Sequence, residues 1–183
     1  LWEGLAAQVE SLGYEVLRMP NAEAIRGANG MTDYETRQVL VRTDMDPAAQ
    51  VKTLAHELGH VRLHGPNQQE ARQHRGIGEV EAESVALMIA AAHGMDTSDY
   101  TIPYVAGWAA NVDGKDPVQV IRDTGEKVRH TATEVLGQLD TIQLGNGNPV
   151  SLRLDGPEHS GPEQAPRVEP LPEREPQRVQ AVP

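Results

Sequence analysis

The chain has 183 residues, room for one domain of ordinary size, and a formal net charge of −11, which disfavours nucleic acid and anionic membranes as default partners. It contains no cysteine, which excludes disulfides, a thiolate nucleophile and Cys-ligated zinc. Apolar residues make up 38% and aromatics 3%, with no Phe, so the core must be built from Val, Leu, Ile, Ala and Met.

At the amino end, Leu1-Trp2-Glu3-Gly4 lacks the basic and apolar regions of a signal peptide, and no apolar run approaches the ~18 residues of a membrane span. The expectation is a cytoplasmic chain with no membrane partner. Because it opens on Leu1, it is also expected to be a fragment or a processed product.

Leu1, Leu5, Val9 and Leu12 recur at helical spacing, and Gly13 stands where a helix ends on glycine. Tyr14 to Met19 suits a strand closed by Pro20. After a Gly/Asn-rich turn at Gly27 to Gly30, Gln38 to Arg42 alternates as a second short strand. Two or three strands follow from this pattern, expected to be antiparallel. Asp46 can cap a helix with Pro47 in its first turn, and Gly65-Pro66 stops it about five turns on. A polar loop from Asn67 to Gly78 leads to a second helix, Glu79 to His93, ended by Gly94. Two more helices are expected, from Pro103 to Asn111 and from the Asp116-Pro117 cap to Leu139. The last would carry Val118, Ile121, Val128, Ala132, Val135 and Leu139 on one face. From Gly145 onward, eight of the thirteen prolines punctuate charged and polar residues, a composition that cannot bury enough apolar surface to order itself. The fold class expected is therefore α+β, with a structured domain over residues 1–142 and a disordered, proline-rich tail over 143–183.

The chemistry lies on the first capped helix. His56 and His60 are one turn apart in His56-Glu57-Leu58-Gly59-His60, so both imidazoles project from one face and can each give a nitrogen to one Zn²⁺ at ~2 Å. Glu57, offset by one position, can reach the open side of such an ion and act as general base. A catalytic zinc needs a third protein ligand. On the next helix Glu79 and Glu83 share a face at i, i+4, whereas Glu81 lies roughly 200° around from Glu79 and is expected to face solvent. Glu79 is assigned as ligand and Glu83 as the carboxylate that orients a ligand histidine through its other ring nitrogen. The reverse assignment stays open on this geometry.

His64 shares the His56/His60 face but sits about 12 Å along the axis from His56, too far to join the same ion on a straight helix. It reads as a histidine favoured by the helix C-terminus. His74 and His93 read as surface residues. Tyr100, Tyr104 and His93 can supply an oxyanion donor, the alternative for each tyrosine being a ring packed on the core with its hydroxyl at the surface. The strand Gln38 to Arg42 can pair with an extended peptide by strand addition.

The segments Thr53 to Val61 and Glu79 to Ala86, with the strand-rich stretch Asn29 to Thr43, resemble the ImmA/IrrE group of metallopeptidases and the related module of ArdC-type antirestriction proteins. The likeness covers roughly residues 1 to 140. In that group the third ligand is a Glu followed four residues later by Asn, Asp or Glu, a pattern that falls on Glu79 and Glu83. The resemblance implies a small zincin-like (gluzincin-type) domain with one catalytic Zn²⁺, cytoplasmic, cutting a protein or peptide substrate such as a transcriptional regulator. The usual phenylalanine and hydrophobic-Met-Pro run are replaced by Val85 and by Ala90 to Gly94, a departure that favours the ArdC-like branch. Members of that branch often carry a single-stranded-DNA-binding domain, which here would precede Leu1, so this segment itself is expected to bind no nucleic acid. The rival reading is a zincin scaffold used as a binding or antirestriction module with little or no proteolysis.

Overall fold

The computed structural model describes residues 1–65, 75–95, 97, 105, 107, 109–110 and 116–147. Among these, helix α1 spans Trp2–Ser11, and strands β1, β2 and β3 span Glu15–Met19, Gly30–Asp33 and Gln38–Arg42. Helices α2, α3 and α4 follow at Pro47–Leu63, Arg75–Ala92 and Pro117–Gly137. The architecture is α+β.

Helix α1 buries Leu5 and Val9 completely, and the chain reverses at Gly13, whose φ of +83° is left-handed backbone that glycine adopts without a Cβ clash. The three strands form one sheet in the order β1-β3-β2. β2 pairs antiparallel with β3, but β1 pairs with β3 in parallel, so the expectation of an antiparallel sheet is corrected to a mixed one. The physical reason is an extra reversal. Gly30 opens a strand where a turn was expected, β2 runs back, and β3 inserts between β1 and β2 in the direction of β1. A Pro20–Asn29 connection with a single 3-10 turn, Glu23–Ile25, makes the first reversal. β3 is thus the central strand, with Val39 and Val41 fully buried, and it cannot receive a peptide along its edge; β1 and β2 are the edges.

Both capped helices start as expected. Asp46 accepts from the Ala49 amide at 3.0 Å, and Asp116 accepts from the amides of Val118 and Gln119 at 3.0 and 3.1 Å, each with proline in the first turn. Helix α3 starts at Arg75, one turn before the expected Glu79, and takes in Gly76 and Gly78 despite their low propensity. In α4 the buried stripe is Val120, Thr124, Val128, Thr131, Ala132, Val135 and Leu136. Val118 and Ile121, expected on the core face, are exposed, because the i, i+4 track leading to Val128 passes through Val120 and Thr124.

Helix α2 meets β2 and β3 as well as α3, and α3 in turn packs on α4. Leu54, Leu58, Val85 and Ile89 are fully buried in this core, joined by Leu5, Val39 and Val135. Residues 143–147 return over the helices, the Leu144 amide donating to the Ala92 carbonyl at 2.7 Å and Gln143 Nε2 to the Leu136 carbonyl at 2.7 Å. The rest of the expected tail lies outside the described residues. Of the expected helix from Pro103 to Asn111, the described residues Val105, Gly107, Ala109 and Ala110 are helical. No helix among the described residues is long and apolar enough to cross a membrane.

Candidate metal centre

Leu54, Leu58 and Val61 form the seam that sinks α2 into the core, and this orientation fixes where its polar residues point. Lys52, His56 and His60 follow one another at i, i+4 along the face toward α3. The close approach of that helix is set by Gly59: a Cβ there would stand 3.0 Å from Ala82 Cα and 3.2 Å from the Ala82 carbonyl oxygen.

Donor atoms of His56, His60 and Glu79 all lie within 4.8 Å of one another. His56 Nε2 and His60 Nε2 are 3.0 Å apart, Glu79 Oε2 is 3.4 Å from His56 Nε2, and Glu79 Oε1 is 3.7 Å from His60 Nε2. Ligand atoms held at about 2.0–2.1 Å by one tetrahedral ion stand roughly 3.3 Å apart, so the triangle has the edge lengths such an ion requires. The residues present fit a metal ion.

Glu83 occupies a different place. Its Oε2 is 2.9 Å from His56 Nδ1, the ring nitrogen on the side away from His60 and Glu79, and its other oxygen, Oε1, accepts from Lys52 Nζ. His56 is thus gripped at both nitrogens. Burial works against its charged form, but the bonds to Glu79 and Glu83 outweigh it and hold the imidazole up to about 10. Burial likewise opposes ionisation of Glu79 and Glu83, yet the histidine bonds, with Lys52 for Glu83, keep both below the usual carboxylate range. The cluster gathers ionised carboxylates at one spot between α2 and α3, a field that attracts a dication.

Glu57 is buried at 5% exposure, facing β2. Thr32 Oγ1 donates to Glu57 Oε2 at 2.7 Å. A Cβ on Gly30 would stand 2.7 Å from Glu57 Oε1 and 2.5 Å from Thr53 Cγ2, so the carboxylate rests where only a glycine leaves room. Tyr34 donates to the His60 carbonyl at 3.4 Å, and burial, with the charges of Glu57 and Glu79, pushes its hydroxyl well above the ordinary phenol range.

Three sequence expectations are overturned. Glu81 does not face solvent: it is 5% exposed, its Oε2 lies 2.6 Å from His64 Nε2, and Lys127 Nζ on α4 donates to both its oxygens at 3.0 and 3.2 Å. α3 is covered by α2 on one face and α4 on another, so the position two residues on from Glu79 is also interior. His64 is buried too, and its Nδ1 is 3.0 Å from His60 Nδ1, so it is more than a surface histidine at a helix end. Burial keeps it below the ordinary imidazole range although the Glu81 bond opposes this. His93 is half-buried, with Nδ1 2.7 Å from the Ile89 carbonyl oxygen and Nε2 2.8 Å from Thr141 Oγ1, a bracing role in place of the surface one expected. His74, Tyr100 and Tyr104 lie outside the described residues. Sequence reasoning missed Gly30, Thr32, Lys52 and Lys127; only Lys52, one turn before His56, left a signal, as the third member of an i, i+4 row.

A peptidase family model, the IrrE N-terminal-like domain, matches residues 9–102, just over half of the chain's 183. That span contains α2, α3 and the whole sheet. An uncharacterized protein of Bacillus anthracis is 27% identical over 110 residues, covering 60% of this chain and 18% of the relative, so the chain corresponds to less than a fifth of that protein's length. No solved structure matches the chain significantly.

Proposed function

This chain belongs to the IrrE N-terminal-like domain family of peptidases, and from that premise we propose that it is a zinc-dependent endopeptidase with a zincin-like domain over residues 1–142 and a tail over 143–183. The observation that carries the reading is the triangle of His56 Nε2, His60 Nε2 and a Glu79 carboxylate, with edges of 3.0 to 3.7 Å, on the helix that also holds Glu57. His56, His60 and Glu79 are the ligands, and Glu83 orients His56 by accepting from its Nδ1.

When bound, zinc supplies Lewis acidity to the scissile carbonyl and lowers the pKa of water. Glu57 takes the proton of the attacking water and hands it to the leaving amine. Thr32 holds that carboxylate in place by donating to its Oε2. The substrate is an extended segment of a protein laid along β2, the edge strand that bears Gly30 and Thr32. Tyr100 or Tyr104, just beyond the glutamate helix in sequence, is the proposed donor to the oxyanion. The family resemblance points to one regulatory protein, such as a transcriptional regulator, as the substrate, and the cysteine-free composition suits action in the cytoplasm.

The test is metal content of the purified chain by plasma mass spectrometry, joined to cleavage of a peptide library. One zinc per chain is expected, with cleavage that falls 10²- to 10⁴-fold in Glu57→Gln while zinc stays bound. A folded chain that takes up no zinc overturns the reading.

A further inference from the structure

His64 ends α2, and its ring bridges two groups that do not touch one another directly. Its Nδ1 is 3.0 Å from His60 Nδ1, and its Nε2 is 2.6 Å from Glu81 Oε2. Glu81 is anchored in turn by Lys127, on a helix that contributes no group to the triangle of donor atoms. The ring is buried and held at both nitrogens by these bonds, and it faces Gly78, where an added Cβ would lie 3.5 to 3.7 Å from three of its atoms.

Two ring nitrogens 3.0 Å apart form a hydrogen bond only if one carries a proton and the other is bare. Resting on the reading that His60 binds zinc, its Nε2, which faces His56 Nε2 and Glu79, must be the bare nitrogen that ligates. The proton of neutral His60 then sits on Nδ1, and His64 Nδ1 must accept it. The proton of His64 is left on Nε2, where Glu81 accepts it. Each protonation site follows from the one before, and the chain of bonds terminates on the fixed positive charge of Lys127.

We propose that His64 is a positioning residue of the metal site, which, with Glu81 and Lys127 behind it, holds His60 in the tautomer and orientation that ligate through Nε2. The two ligand histidines are then supported by matching arms. His56 is held by Glu83 and Lys52, and His60 is held by His64, Glu81 and Lys127. The second arm is one imidazole longer because the carboxylate that serves it lies further from the triangle. It also makes α4 part of the metal centre, although no ligand lies on that helix. Outer partners of this kind commonly contribute 10- to 100-fold to metal affinity.

The experiment compares zinc affinity, by chelator competition, of the full chain with His64→Leu and His64→Asn, and reads histidine tautomers by nitrogen NMR of the zinc-loaded wild type. Leucine fills the space without an acceptor, whereas asparagine places an oxygen close to where Nδ1 stands. The expected results are a 10- to 100-fold weaker affinity for His64→Leu, recovery to within a few-fold of wild type for His64→Asn, and protons on His60 Nδ1 and His64 Nε2. A folded His64→Leu chain that binds zinc as tightly as wild type overturns the proposal, as does an Asn variant no better than Leu. Should the Leu variant fail to fold, the wild-type spectrum decides: a proton on His64 Nδ1 overturns the proposal. A wild type that binds zinc while these results fail removes this arm alone; a wild type that binds none removes the metal reading and the arm with it.

Discussion

Gly59 and Ala82 are the contact that sets the spacing of the two motif helices: a Cβ on Gly59 would meet the Ala82 Cα at 3.0 Å and its carbonyl oxygen at 3.2 Å. Gly59 lies next to His60 in sequence, and Ala82 lies between Glu81 and Glu83, so the helix separation at this point is also the separation of the histidines from the carboxylates. Substituting Gly59 by alanine adds about 1 kcal/mol of helix propensity in favour of folding. Against it stands overpacking, typically 1–3 kcal/mol, and here the obstructing atoms are backbone that cannot swing aside. Overpacking should win. Gly59→Ala is expected to lower the urea midpoint and to weaken zinc binding, and Gly59→Val to do both more strongly. A Gly59→Ala chain more stable than wild type with unchanged zinc affinity would show that the helices part without cost.

Thr32 sits on β2, and its hydroxyl fixes one oxygen of Glu57 at 2.7 Å. A hydrogen bond to a charged acceptor contributes about 1.5–3 kcal/mol, and each 1.36 kcal/mol of barrier is a factor of ten in rate. Thr32→Val should therefore lower kcat by about tenfold or more, while zinc content and KM change little, because neither the donor triangle nor the strand edge is altered. Thr32→Ser should retain most of the rate. Steady-state kinetics beside metal analysis separates the cases: an equal loss in the serine variant would assign the effect to packing of the Thr32 methyl.

What could be read from the sequence was whatever chemistry or geometry writes at short range. Asp46-Pro47 and Asp116-Pro117 mark helix starts because a cap and its amides lie within three residues, and His56 with His60 mark a candidate site because both imidazoles lie within one turn. Glu79 and Glu83 could be separated from Glu81 by helix period, but not the fate of Glu81. Its burial depends on Lys127 and on α4 lying against α3, a relationship across 46 residues. β2 was hidden for a similar reason. Gly30-Met31-Thr32-Asp33 has little strand character of its own and is extended because β3 pairs with it, and that missing strand is what turned an expected antiparallel sheet into a mixed one.

Asp33 organises the turn between β2 and β3, with Oδ1 accepting from the amides of Glu35 at 2.9 Å and Thr36 at 3.0 Å. The Thr36 and Glu35 amide bonds hold its carboxyl below the 3.8 of the free side chain. A carboxylate whose folded value is depressed stabilises the fold above its unfolded value, and that stabilisation is lost as pH falls through the folded value. Asp33→Asn keeps an acceptor oxygen but not the charge. Its urea midpoint should be lower than wild type at pH 6, and the gap should close as pH falls below 3.8. The measurement is paired urea titrations across pH; a gap that stays constant would mean that charge plays no part in the turn.

Lys52 precedes His56 by one turn, and both reach Glu83, whose side chain is only 4% exposed. Taking one partner from a buried ion pair leaves the other charge in a medium that solvates it poorly, at a cost of about 3–5 kcal/mol. Lys52→Met should fall near the lower end, about 3 kcal/mol, because His56 still donates to the second oxygen of Glu83. Adding Glu83→Gln removes the stranded charge, so the double variant should be less destabilised than the sum of the two single ones. Urea unfolding of the four chains gives the coupling directly. Zinc affinity should fall in both chains that carry Glu83→Gln, since a neutral amide is a weaker acceptor for His56 Nδ1. In Lys52→Met alone it should fall much less, because the Glu83 carboxylate still faces that nitrogen. Additive stabilities would show that Lys52 and Glu83 are neighbours without being partners, and would leave His56 as the residue that keeps Glu83 charged.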